Sequence, residues 1–214
     1  MIERVQNYKV KLLETKIRDK DTSTEELRNA LYSLGRIMGD EVYGNSRLIT
    51  KPIKTPLFKS FMGSQLEDDE GATIVISTKD DYEYLAKGIA EECSTVYRGY
   101  MDFGGVRGTN TYTSPARSIE FPDIKSDIQI TRIIIAKSVI ASGCTAITLA
   151  QKAMAKYFTR ELIIVAPFYS KKGIDELSSE LKMAKIYVAS EPDEIDDNGM
   201  LIPGVGNIDK RLAG

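Results

Sequence analysis

The chain has 214 residues, with 29 Lys plus Arg against 31 Asp plus Glu, a formal net charge of −2. A general nucleic-acid or membrane-surface binder needs a large basic excess, so we expect no nucleic-acid and no membrane partner. The absence of His excludes imidazole catalysis and His-ligated metals, and two Cys (Cys93 and Cys144) are too few for a thiolate zinc site. Isolated Cys residues, without a membrane-span pattern or a signal-peptide core, predict a reduced, cytoplasmic protein.

The first clear element is a helix predicted over residues 22 to 44, where apolar side chains recur at helical spacing. Two capping boxes would start it: Thr22 with Glu25, or Ser23 with Glu26. This helix is expected to pack on the core.

A strand–loop–helix unit follows a weakly patterned stretch. Residues 45 to 70 are interrupted by two prolines, and their acidic end at 67–70 is typical of a solvated loop. Residues 71 to 77 predict a buried strand, and residues 80 to 93 predict the helix after it.

The next segment, residues 94 to 130, is dense in Gly, Tyr and Thr and lacks helical periodicity. We interpret it as irregular strands, with a hairpin arm over 95–130 that projects from the domain. The aromatic and basic side chains leave RNA binding as an alternative, but strand residues beside Gly turns are the favoured interpretation.

Strands and helices then alternate to the end of the chain. The predicted order is strand 132–136, helix 146–158, strand 161–170, helix 171–181, strand 184–190 and a Gly-rich tail. The helix at 146–158 is expected to bury Ile147, Ala150, Met154 and Phe158 on one face. Alternation of this kind predicts an α/β fold, a mostly parallel sheet flanked by helices, in a single domain over residues 1–214.

The strongest functional candidate is the loop of small residues between strand 132–136 and the helix after it. Its predicted phosphate-binding residues are Ala141, Ser142, Gly143, Cys144 and Thr145. Small side chains let backbone N–H groups converge, and the helix N-terminus adds a favourable dipole, as in a phosphate-binding loop. The alternative is a plain strand–helix loop without a ligand. We predict that the N–H groups of 141–145 face a solvent-filled hollow.

Three motifs, in order, resemble the uracil phosphoribosyltransferase family over nearly the whole chain. Residues 12–28 read LLETKIRDKDTSTEELR and resemble the family's IRDK-x-TST-x-x-FR opening. Residues 137–146 read KSVIASGCTA where the family carries DPMLATGGSA, its phosphoribosyl-pyrophosphate (PRPP) motif. Residues 199–214 read GMLIPGVGNIDKRLAG where the family carries GYIVPGLGDAGDRLFG, its uracil site, and Tyr97-Arg98 matches the family's YR before a flexible arm.

The resemblance implies a type I phosphoribosyltransferase fold, a homodimer and a C-terminal hood over the base site at 197–214. It also implies a transferase of pyrimidine salvage that converts uracil and PRPP to UMP and pyrophosphate. Mg²⁺ would be the cofactor when PRPP is bound, and otherwise none is expected.

Two departures from the family concern ribose and pyrophosphate. Lys137 stands where the family has an Asp that accepts hydrogen bonds from both ribose hydroxyls, and an ammonium group has only donors. Lys79 aligns within one residue of the Arg in the pyrophosphate loop, but no Gly occurs between Lys79 and Gly88. Asp80 and Asp81 would repel a polyanion; they could instead bind Mg²⁺, but they more commonly serve as favourable charges at a helix start.

A third departure lies at the base site. The family's backbone contacts to uracil correspond to Leu201 and Gly206, whereas Asn207 replaces an Asp and Met200 replaces a Tyr. Arg211 is retained. We predict base binding at Leu201, Gly206 and Asn207.

Together these patterns predict a family member that binds a phosphate or nucleotide ligand, with PRPP-dependent transfer lost or altered. No catalytic residue and no metal ligand is assigned. The alternative is an active uracil phosphoribosyltransferase that works by positioning its substrates and by charge stabilisation.

Overall fold

A seven-stranded sheet runs through the protein in the computed structural model, which describes residues 2–45, 48–66, 71–106 and 108–214. The described strands are β1 (Ile2–Arg4), β2 (Leu48–Lys54), β3 (Ser60–Leu66), β4 (Ala72–Thr78), β5 (Val96–Asp102), β6 (Ser118–Glu120), β7 (Ile130–Ala136), β8 (Val139–Ile140), β9 (Glu161–Ala166), β10 (Phe168–Tyr169), β11 (Lys185–Val188), β12 (Glu194–Ile195) and β13 (Leu201–Ile202). The described helices are α1 (Tyr8–Arg18), α2 (Thr24–Asn45), α3 (Lys79–Tyr82), α4 (Leu85–Glu91), α5 (Asn110–Thr113), α6 (Cys144–Lys156), α7 (Lys171–Glu180) and α8 (Ile208–Ala213). The acidic run at 67–70 lies outside the described residues.

The central sheet has the order β1-β11-β9-β7-β4-β5-β6, and its strands pair in parallel except for β5 with β6. All seven residues of β4 are buried, and β7 and β9 are nearly so, as expected of parallel strands covered on both faces. One face packs on α1, α2, α4 and the C-terminal residues, and the other on α6 and α7. The predicted α/β fold is confirmed.

The start of α2 uses one of the two capping boxes that the sequence offers. Ser23 Oγ accepts from the Glu26 N–H, and the Ser23 N–H donates to Glu26 Oε2, both at 3.3 Å. The Thr22 hydroxyl instead donates to the Lys16 carbonyl at 2.6 Å. Ser23 with Glu26 is therefore the pair that forms.

The described residues form one antiparallel pair inside the segment predicted as the hairpin arm and another outside it. Residues in 95–130 do form an antiparallel pair, β5 with β6, but that pair extends the edge of the central sheet. Strands β2 and β3, within the weakly patterned stretch 45–70, form an antiparallel hairpin of their own, separate from the central sheet. Pro52 is tolerated within β2 because a two-stranded sheet leaves each strand one open edge.

Two helices differ from their predicted forms. The helix expected over 80–93 is divided into α3 and α4. Helix α6 buries Ile147 and Ala150 as predicted, but Met154 is 40% exposed and Phe158 is 86% exposed. The helix ends at Lys156, before Phe158, so the predicted apolar face was extended too far.

Candidate functional site

A pocket of about 490 Å³ opens beside the carboxyl ends of β4 and β7. Its lining comes from the loop and helix start at 137–146, the C-terminal residues 195–209, the loop after β5, and Thr78, Asp80 and Lys172. Ligands of open α/β sheets bind at this end of the strands. The predicted phosphate loop and the predicted hood thus meet around one cavity.

The phosphate loop is held in place by the start of α7. Gly143 precedes α6 with φ of 81°, and a Cβ on it would lie 2.8 Å from the Gly173 carbonyl oxygen. A side chain is therefore excluded by both backbone conformation and space. The Ser170 hydroxyl donates to the Ala141 carbonyl oxygen at 2.6 Å and links the two segments.

The loop leaves its donors available for a ligand. Among the described residues, no protein group accepts a hydrogen bond from the N–H groups of 141–145. Four predicted phosphate-binding residues line the pocket: Ala141, Ser142, Gly143 and Thr145. The fifth, Cys144, is buried outside the lining, with its Sγ 3.9 Å from the Ser142 carbonyl oxygen.

Lys137 is joined to a buried carboxylate at the pocket wall. Its Nζ lies 2.6 Å from Oδ2 of Asp81, which is fully buried. The same oxygen accepts from the Thr78 hydroxyl at 3.0 Å and from the Ser138 N–H at 3.3 Å. Lys137 lines the pocket, as its replacement of the ribose-binding Asp predicts, but its ammonium is held by a protein carboxylate.

The ion pair of Lys137 and Asp81 is surrounded by further negatively charged side chains. Burial lowers the pKa of Lys137, but the charges of Asp81, Asp209 and Asp80 outweigh it and hold that pKa above its usual value. Burial, followed by the charge of Asp209, raises the pKa of Asp80. Asp80 and Asp209 both line the pocket. This wall therefore opposes a polyanion such as pyrophosphate.

Lys79, the counterpart of the pyrophosphate-binding Arg, does not line the pocket. Its Nζ lies 3.3 Å from Oδ2 of Asp102, and its side chain is largely exposed. The segment predicted to correspond to the family's pyrophosphate loop forms the single turn α3.

The hood contributes two of its three predicted base-binding residues. Leu201 and Gly206 line the pocket, and Leu201 is buried. Asn207 is outside the lining; its side chain caps α8 by accepting from the Lys210 N–H at 3.2 Å. Asn207 therefore has a structural task that its alignment with a site Asp did not reveal.

Residues of the N-terminal motif hold the hood in place. Arg211 donates to the carbonyl oxygens of Ile17 at 2.6 Å and Asp19 at 2.7 Å. Arg18 donates to the Gly204 carbonyl oxygen at 2.8 Å. Residues 186 to 194 positions apart in the sequence are thus in direct contact, and the two motifs form one assembly.

Sequence reasoning missed several lining residues. Lys172 follows a buried strand at a helix start, and this position at the carboxyl edge of a sheet was a usable signal. Asp196 and Asp197 carried no signal, because acidic residues in a Gly-rich tail are indistinguishable from a solvated loop. In the described part of the chain, no group of three or more Cys, Asp or Glu side chains is arranged to hold a metal ion.

A mostly parallel sheet flanked by helices, with a small-residue loop and the C-terminal residues meeting around a pocket at the carboxyl ends of its strands, defines the class as an α/β protein with the pocket position typical of open sheets. The sequence model of the family described as uracil phosphoribosyltransferase matches residues 84–214. The chain therefore belongs to the uracil phosphoribosyltransferase family.

Curated relatives named uracil phosphoribosyltransferase match along almost the whole chain. The protein from Thermococcus gammatolerans is 25% identical over 200 residues, covering 94% of this chain and 87% of the relative. That from Mycoplasma genitalium is 25% identical over 214 residues, covering 100% and 99%. That from Clostridium tetani is 28% identical over 203 residues, covering 94% and 91%.

A solved structure shares the fold. The AQ2163 protein from Aquifex aeolicus superposes with a TM-score of 0.77 at 23% identity, covering 99% of this chain and 97% of its own. Across the described residues, none of the helices has the length and apolar character needed to cross a bilayer.

Proposed function

We propose that this member of the family binds a nucleotide or another phosphate monoester in the pocket and does not transfer phosphoribose from PRPP. The buried ion pair between Lys137 and Asp81 carries this proposal. It occupies the position where the family's ribose-binding Asp would act.

The pair removes the acceptor that a ribose diol needs. An ammonium offers donors only, and this one is already directed at Asp81. A hydrogen bond to a charged group contributes about 1.5–3 kcal/mol. The departures at the ribose, pyrophosphate and base sites would therefore lower the transfer rate roughly a thousand-fold or more if they act independently.

The pyrophosphate side also lacks what PRPP with Mg²⁺ requires. Asp81 is engaged by Lys137, and Lys79 is paired with Asp102 outside the pocket. The residues present therefore do not fit a Mg²⁺–pyrophosphate group, and no cofactor is proposed for the binding function.

The loop at 141–145, in contrast, keeps the donors that a phosphate group needs. The N–H groups of 141–145 are unused by described protein groups and lie at the start of a 13-residue helix. Helix N-termini with free N–H groups bind phosphate and similar anions. Leu201 and Gly206 line the pocket on the hood side.

An active uracil phosphoribosyltransferase is the second candidate, with Mg²⁺ accompanying PRPP. The observation that favours it is the near full-length match to relatives that carry that name.

Incubation with radiolabelled uracil, PRPP and Mg²⁺ separates the two candidates. We expect no UMP, and we expect UMP or inorganic phosphate to raise the melting temperature by mass action. Turnover in the usual range of about 1–1000 per second would contradict the proposal. If turnover is absent, Lys137→Asp alone should not restore it, because the pyrophosphate loop would still be lacking.

We also propose a cytoplasmic homodimer. The dimer is what the family resemblance implies, and the cytoplasm suits Cys93 and Cys144, which are buried and form no disulfide. Large exposed side chains on the β2–β3 hairpin, including Leu57 and Phe58 at 81% and 85% exposure, supply apolar surface for a second copy.

A further inference from the structure

We infer that Lys172 is the phosphate-binding cation of this pocket. It would form an ion pair with the dianionic phosphate of a monoester whose oxygens the N–H groups of 141–145 bind. This inference rests on the proposed function and adds to it a residue that the family motifs do not include.

The start of α7 is fixed against the phosphate loop. Ser170 caps α7 by accepting from the Gly173 N–H at 2.9 Å, and its hydroxyl donates to the Ala141 carbonyl oxygen. A Cβ on Gly173 would lie 2.3 Å from that same carbonyl oxygen, so the two backbones are in direct contact. The backbone of Lys172 is therefore held beside the loop by its neighbours on both sides.

The charge of Lys172 is available to a ligand. Among the described residues that line the pocket, the basic ones are Lys137 and Lys172. Lys137 is engaged by Asp81 at 2.6 Å, whereas Lys172 forms no ion pair or hydrogen bond with any described residue. The loop supplies dipoles, and Lys172 supplies the full positive charge that a dianion favours.

The placement of this lysine opposes the preference of the helix that carries it. Helix α7 begins with Lys171 and Lys172, and its first turn has no acidic residue. Cations are disfavoured at a helix N-terminus, where the dipole is positive. A residue type that is unfavourable for its local structure is expected at functional sites. An anion bound here would offset both the helix dipole and the charge of Lys172.

Two matched variants test the inference. Lys172→Met removes the charge and keeps the aliphatic stem, and Lys171→Met does the same at the adjacent residue, which is exposed and does not line the pocket. Binding of UMP and of inorganic phosphate is measured by calorimetry at two salt concentrations, and the melting temperature is measured without ligand.

We expect Lys172→Met to weaken binding of both ligands about ten-fold or more, with a smaller salt dependence. Lys171→Met should change affinity less than about two-fold. Both variants should leave the ligand-free melting temperature unchanged or slightly raised, because each removes a lysine from the positive end of α7. Lys172→Arg should retain most of the affinity.

The outcomes separate this inference from the function on which it rests. If the wild-type protein binds neither UMP nor phosphate, the proposed function fails together with the inference. If the wild-type protein binds and Lys172→Met binds equally well, the inference alone is overturned. An equal loss of affinity in Lys172→Met and Lys171→Met would also overturn the inference, because it would mean that any positive charge at the start of α7 has the same effect.

Discussion

At the scale of single residues, the ion pair of Lys137 and Asp81 is the contact on which the proposed loss of transfer depends. Removing both charges from water is costly, and their attraction, with the additional donors Thr78 and Ser138, offsets that cost. Such a pair contributes little relative to two apolar residues, yet the loss of one partner leaves a buried charge without compensation.

Lys137→Met is therefore expected to lower the free energy of unfolding by about 3–5 kcal/mol, measured by urea denaturation. The double variant Lys137→Met with Asp81→Leu should recover a large part of the loss, because no charge remains buried. The control is Lys79→Met, which breaks the more exposed pair with Asp102 and should cost about 0–1 kcal/mol. Equal, small losses in Lys137→Met and Lys79→Met would contradict the buried-pair interpretation.

At the scale of elements, the capping box of α2 gives stability a dependence on pH. The hydrogen bond from Lys16, then those from Ser23, lower the pKa of Glu26 from 4.5 to about 2. A carboxyl group whose pKa is lower in the folded than in the unfolded chain stabilises the fold when ionised. Its contribution is present above about pH 4.5 and is lost as the pH falls towards 2.

Glu26→Gln should flatten this part of the acid profile. We expect the urea midpoint of the wild type to fall more steeply than that of the variant between about pH 5 and pH 2. Glu25→Gln, on the same first turn but outside the capping box that forms, serves as the control. Parallel acid profiles for the wild type and Glu26→Gln would rule out the assigned role of Glu26.

The elements also show how far sequence patterns reach. Strands β4, β7 and β9 each contain an apolar run of three or more residues, so their burial could be predicted from the sequence pattern. The β2–β3 hairpin could not, because its side chains are largely exposed on both faces and leave no alternation between buried and polar positions. The position of the 141–145 loop at a helix start beside a pocket could be predicted from its small residues. The partner of Lys137 could not, because it is set by a tertiary contact that no spacing encodes.

At the scale of the whole molecule, the C-terminal residues line the pocket and the N-terminal motif holds those residues in place. Arg18 and Arg211 connect the N-terminal motif to the hood through backbone carbonyl oxygens. The largest group of exposed apolar side chains lies on the β2–β3 hairpin, and none of these residues lines the pocket.

The proposed dimer is expected to depend on this hairpin. In sedimentation experiments at micromolar concentration, the wild type should behave as a dimer, and Phe58→Ser with Phe61→Ser should shift it towards monomer. Loss of two buried aromatic contacts should weaken association by about 2 kcal/mol or more, roughly thirty-fold. Tyr112→Ser with Ile119→Ser, at half-exposed positions in the segment 95–130, should leave the dimer intact. A wild-type monomer of 23.8 kDa would exclude the dimer.

Because the β2–β3 hairpin has only two strands, it also affects the tendency of the protein to aggregate at high concentration. Among the described strands, β2 and β3 pair with no third strand, so their outer edges present backbone groups to which another extended chain could add laterally. Pro52 removes one of these donors, and Lys51, Lys54 and Lys59 place like charges along the hairpin. Proline and lysine on open edges discourage fibril-like stacking, and salt screens the lysine charges. Raising the ionic strength is therefore expected to promote aggregation through this hairpin before it affects the folded sheet.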